Sequence, residues 1–139
     1  MARLPSTQER LVASAAVVGG ALIATGAFLP WLSLFAGLHP LRGVIGLNGR
    51  LLAAAGAVCV VAGVRCWQRP ARGLQRAVGV LGWVLIPFAT YLAVQLLDSY
   101  RELRANPMLV PRLGPGLFLA LLGSLVAAAT ALPSSRRRV

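Results

Sequence analysis

The chain contains no lysine, one histidine, two cysteines and three acidic residues among its 139. Each shortage removes a class of chemistry. His39 stands alone between Leu38 and Pro40, with no acid or thiol nearby in sequence, so a protein-held metal lacks its ligand set. General acid–base catalysis would have to rest on His39, Asp98 or Glu102, and no catalytic residue, metal or cofactor is expected. Cys59 and Cys66 lie seven positions apart, about two helical turns or roughly 10 Å along an axis, beyond the ~7 Å reach of a disulfide. They are read as packing residues, with Cys66 close enough to a cytoplasmic surface to be a weak lipidation candidate.

Charge is the greatest shortage, and it is concentrated. Only 12% of residues are charged, against about a quarter in a soluble domain. Four stretches carry none at all: Leu11 to Leu38, Leu51 to Val64, Ala77 to Leu97 and Leu113 to Leu132. An aqueous domain would scatter arginines through such runs, whereas a charge at the centre of a bilayer costs about 3 kcal/mol or more. With 58% hydrophobic residues, the pattern predicts one all-α membrane domain, a four-transmembrane-helix bundle with spans at about 11–29, 51–67, 74–97 and 116–132. The lipid bilayer is its solvent. The first run exceeds the ~7–15 apolar residues of a signal-peptide core and is read as a retained span.

All fourteen basic residues are arginine, and they sit at the ends of the runs. Arg3 and Arg10, then Arg65, Arg69, Arg72 and Arg76, then Arg136, Arg137 and Arg138 fall on one side; Arg42, Arg50, Arg101, Arg104 and Arg112 fall on the other. The majority side is cytoplasmic by the positive-inside rule, so the chain is predicted to be multi-pass in the plasma membrane with both termini inside. The cytoplasmic arginines suit anionic lipid headgroups. A net charge of +11 could also suggest nucleic acid, but no basic, aromatic-interleaved soluble face remains to bind it. The exclusive use of arginine, with abundant Ala, Gly, Leu and Val, suggests a high-GC genome such as that of an actinobacterium.

Small residues recur at helical spacing. Ala16, Gly20 and Ala24 mark a packing face on the first span, Gly56 and Gly63 on the second, and Gly123 and Ala127 on the fourth. Pro30 and Trp31 close the first span at the outer interface, where an indole can reach water or headgroups. The segment from Leu32 to Gly49 is too apolar for a free loop, yet Pro40, Gly43, Gly46 and Gly49 bar a long helix. It is read as an apolar outer loop, interfacial or partly re-entrant, with a short helix over Leu32 to Leu38. The glycine spacing does not match a nucleotide-binding fingerprint.

Pro87 predicts a kink near Trp83 in the third span. Beyond it, Asp98, Arg101 and Glu102 keep helical spacing, which predicts an Asp98–Arg101 pair and about two further turns outside the bilayer, ended by Asn106 and Pro107. Tyr91 and Gln95, four apart, form a polar pair in the outer half of the span.

The run Phe28-Leu29-Pro30-Trp31 closing one helix, a glycine-punctuated loop, and Gly46-Leu47-Asn48-Gly49 opening the next resemble small four-helix integral membrane proteins of actinobacteria. The resemblance covers the first half of the chain. It implies a four-helix bundle and supplies no activity.

Together these features predict a non-enzymatic accessory or structural subunit that packs against other membrane protein subunits in a larger complex. Its expected partner or lipid contacts are Trp31, Phe35, His39, Asp98, Arg101 and Glu102. The alternative is a small oligomeric transporter or channel, which would depend on Thr25, Thr90, Tyr91 and Gln95 because the first span has no coupling carboxylate. A surface enzyme using His39, Asp98 or Glu102 ranks third.

Overall fold

Ser6 starts the first helix. Its hydroxyl accepts from the Glu9 N–H at 3.2 Å while the Glu9 carboxylate accepts from the Ser6 N–H at 2.8 Å, so two donors that a helix start leaves free are satisfied reciprocally. The computed structural model describes residues 6–132; the predicted cytoplasmic Arg136–Arg138 tail lies outside the described residues, as does Arg3. In chain order the elements are α1 (Thr7–Phe28), β1 (Pro30–Leu34), β2 (His39–Arg42), α2 (Leu47–Gln68), α3 (Arg72–Arg104), β3 (Arg112–Leu113) and α4 (Gly116–Ala129).

Three of the four helices, α1, α2 and α3, are long and apolar enough to cross a membrane. The 33 residues of α3 extend about 50 Å at ~1.5 Å per residue, beyond the ~30 Å of a hydrocarbon core. The helix is unbroken through Pro87 and carries Asp98, Arg101 and Glu102 on its final turns. The fourth predicted span is shorter as a helix than expected. α4 has 14 residues, and after Ala129 the N–H groups of Thr130, Ala131 and Leu132 bond three residues back, the tightened pattern of a helix end.

The chain is not purely helical. The short helix expected over Leu32 to Leu38 is replaced by a three-stranded antiparallel sheet of order β2–β1–β3. The reason is backbone satisfaction: an irregular apolar segment packed on the bundle pairs its N–H and C=O groups within the protein, and a hairpin does so locally. Leu32, Ser33 and Leu34 lie opposite Leu41, Pro40 and His39, and Pro30 lies opposite Arg42. The register slips between Pro30 and Leu32, so Trp31 occupies an irregularity in the ladder. At the hairpin tip, Phe35, Ala36 and Gly37 have φ of 53°, 57° and 108°, a left-handed turn in which two residues carry side chains.

α1 lies between α2 and α4, and α3 packs mainly on α4, with a lighter contact to α2. Glycine pairs set these approaches. A Cβ on Gly20 would lie 2.7 Å from the Gly56 carbonyl oxygen, and one on Gly56 would lie 2.8 Å from that of Gly20. Gly26 with Gly116, and Gly19 with Gly123, are reciprocal in the same way toward α4. Gly63 abuts Val17 and the Ala13 carbonyl, while Ala127 and Ala16 are buried and Ala24 is half-buried against Gly56. Small residues at these crossings bring the helix backbones into close van der Waals contact. Ile23, Leu52 and Leu117 are the large side chains fully enclosed among these small ones.

Candidate functional site

Trp31 organises the outer end of the bundle. A helix carbonyl normally accepts from the N–H four residues on; for Gly26 that residue is Pro30, which has none. The Trp31 indole N–H donates to the Gly26 carbonyl instead, at 2.9 Å. This requires the ring to fold back over the helix end. Its six-membered edge then lies against Gly43, where any Cβ would overlap it, and its five-membered ring meets Gly116 at the start of α4. Gly43 in turn rests on Gly49 in the first turn of α2, again with no room for a Cβ. The indole thus ties α1, α2, α4 and the hairpin base together.

The indole N–H, expected to reach water or headgroups, is held within the protein, and the ring is part-buried. Pro30 is the cause.

Two cavities of about 430 and 520 Å³ share Trp31, Asn48, Leu96 and Ser99 and form one crevice between the start of α2 and the outer part of α3. It exists because α2 and α3, although joined by a tight turn at Arg69–Ala71, pack more lightly on each other than on the rest of the bundle. Leu32, Leu41, Ile45, Leu92 and Leu103 supply apolar wall; Arg42, Gln95 and Asp98 supply polar groups at its mouth. Gln95 also donates to the Tyr91 hydroxyl at 2.8 Å, the polar pair expected from their spacing.

Above the crevice, the hairpin tip leans on the loop that follows α3, where the Ala36 N–H donates to the Val110 carbonyl at 3.1 Å. The two segments form an outer cap with large apolar side chains on its surface. Leu38 is 81% exposed, Met108 83%, Val110 52% and Phe35 46%. The Phe35 and His39 rings meet edge to face with centroids 5.9 Å apart, so these two predicted contact residues share the tip.

Asp98 and Arg101 form the expected ion pair, at 3.8 Å on the exposed surface of α3, a geometry that adds little stability. Asp98 shares the crevice with Trp31, while Arg101 and Glu102 lie on the same helix outside its lining. Arg42, Asn48, Ser99, Leu38, Met108 and Val110 were not legible as site residues. Their proximity depends on a hairpin register and on a hydrogen bond between segments more than seventy residues apart, which no local pattern encodes.

The interior offers little chemistry. Among the described residues, Ser124 and Thr130 are the buried polar side chains, and their hydroxyls donate to the Ala120 and Ala127 carbonyls of their own helix at 2.8 and 2.6 Å. Among the same residues no buried side-chain nitrogen or oxygen lacks a partner, and no cluster of three metal-ligating side chains occurs. Cys59 and Cys66 are free thiols, both buried, and Cys66 points back toward the Ala71 carbonyl at 4.0 Å rather than outward to an acylating surface. No family model matches the chain, and comparison with curated proteins and with solved structures returned no match.

Proposed function

We propose that the chain is a non-enzymatic accessory or structural subunit, embedded in the plasma membrane with both termini cytoplasmic, that docks other membrane protein subunits through its outer cap. The cap surface carries the reading. Exposed leucines and valines on the helices need no partner, because lipid is their solvent. Phe35, Leu38, Met108 and Val110 differ: they lie on the hairpin tip and on the loop after α3, past the apolar run that ends at Leu97, where on the proposed topology the chain has left the lipid. Apolar side chains gathered there are covered by another protein. The glycine-set helix contacts suit a rigid support for that cap.

Purification through a terminal tag in a mild detergent tests the proposal. It predicts a partner at stoichiometric yield that is lost from the Leu38→Glu, Met108→Glu double variant while the variant itself stays folded. A chain that migrates alone, or a partner retained by the variant, overturns it.

A small oligomeric transporter or channel is the second reading, supported by the polar mouth of the crevice at Asn48, Gln95 and Asp98. Flux in reconstituted vesicles that depends on Gln95 would favour it; absence of flux would remove it.

A further inference from the structure

A second groove lies between α2 and α3 at the end where a tight turn joins them. It has a volume of about 480 Å³ and is lined by Ala57, Val58, Val61, Ala62 and Leu74, with Arg65 as its charged wall. We infer that it seats one acyl chain of an anionic phospholipid of the cytoplasmic leaflet, whose phosphate is held by Arg65. The inference rests on the membrane placement and orientation proposed above, and gives the cytoplasmic arginines one defined lipid site.

Polarity along the groove is the first argument. Ala57 and Arg65 are eight positions apart on α2, about 12 Å along the axis at ~1.5 Å per residue. On the proposed orientation Arg65 and the exposed indole of Trp67 stand at the cytoplasmic interface, and Ala57 lies at the depth of the chains. The groove is therefore charged at headgroup level and apolar along the rest of its length. No carboxylate and no uncharged polar side chain lines it, so ordered water finds no set of partners there. Any apolar face at such depth touches some lipid; the guanidinium at one end makes this one discriminate.

Charge is the second. Arg65, Arg69, Arg72 and Arg76 fall within twelve residues, and from Arg10 through Leu97 the chain has no acidic residue. On the proposed cytoplasmic side the acidic side chain is Glu9, which accepts from the Ser6 N–H at 2.8 Å. Among the described residues, none of the four guanidinium groups has an ion pair or a side-chain hydrogen bond. The first turn of α3, which contributes Leu74 to the groove, holds no acid and has no side-chain cap, so the positive end of that helix adds to the same field. A concentration of one sign repels itself, and an anion relieves it. An anionic phosphate diester suits the arginine fork, which can donate two parallel N–H bonds to it. Phosphatidylcholine offers the same phosphate but returns a cation to the arginines.

The test uses the full chain. Membranes are first washed with alkaline carbonate; release of the protein would overturn the membrane placement and the inference with it. Retained protein is extracted, stripped of lipid in detergent, and incubated with phosphatidylglycerol or phosphatidylcholine of identical chains, and bound lipid is counted by native mass spectrometry. One phosphatidylglycerol per chain is expected, with phosphatidylcholine held about tenfold more weakly. Arg65→Gln is expected to erase that preference. Ala57→Trp, which fills the groove and leaves every arginine in place, is expected to weaken both lipids about tenfold. Arg104→Gln, at the outer end of α3, removes the same charge elsewhere and is expected to change neither. All three positions are exposed, so the substitutions leave the helix contacts intact. A preference that survives Arg65→Gln, an equal loss in Arg104→Gln, or binding unchanged by Ala57→Trp overturns the inference and leaves the membrane placement standing.

Discussion

The indole of Trp31 donates to the carbonyl of Gly26 at 2.9 Å, supplying the bond that Pro30 cannot. One missing N–H thus decides where an aromatic ring points, and the ring decides how the hairpin sits on the bundle. Trp31→Phe keeps most of the packing and removes the donor, leaving a part-buried carbonyl unmatched. The expected loss is about 1–2 kcal/mol of stability, read from unfolding in detergent. Trp83→Phe on the exposed face of α3 is the control and is expected to change stability by less than about 0.5 kcal/mol. Equal effects at the two sites would deny Trp31 its role.

Gly20 and Gly56 face each other so closely that neither admits a Cβ without movement of the other's backbone. Gly56→Ala is therefore expected to destabilise the fold by about 1–3 kcal/mol, through separation of α1 and α2. Gly73, in the first turn of α3, has open space around it. Gly73→Ala is expected to be neutral or to gain up to about 1 kcal/mol, since alanine fits a helix better than glycine. Unfolding of the two variants under one condition separates close helix approach from a general glycine effect.

The proposed orientation places the α2–α3 turn inside the cell and the end of α3 outside. Cysteine labelling checks it. In intact cells, a maleimide that cannot cross membranes is expected to modify Arg104→Cys and to spare Gly73→Cys, which reacts only after the membrane is opened. Native Cys59 and Cys66 are buried and provide a low background. The reverse pattern would invert the topology.

Much of the bundle was legible in the sequence because its physics is local. Charge-free runs mark the long apolar helices, and the spacing of Asp98, Arg101 and Glu102 carries α3 on beyond Leu97. Small residues at Gly20, Gly56 and Gly123 marked close approach, yet the partners across each contact, and the additional pair of Gly26 with Gly116, emerge only when helices are placed side by side. The outer segment was the main departure. Its glycines and prolines excluded a long helix, but the hairpin register of β1 on β2, and the closing of its other edge by Arg112 and Leu113 far along the chain, are not local patterns. The crevice was invisible for a related reason, since it arises from how lightly two consecutive helices pack.

The central claim is that the cap is a protein-binding surface, and it is tested most directly by photocrosslinking in intact cells. A photoreactive benzoylphenylalanine is placed at Leu38 on the cap, and separately at Trp83 on the exposed side of α3. The account predicts that the probe at position 38 yields one dominant protein adduct of fixed mass, which disappears when Met108→Glu is added, while the probe at position 83 gives no such dependence on Met108. A probe at position 38 that captures no protein, or a protein adduct indifferent to Met108→Glu, would contradict it.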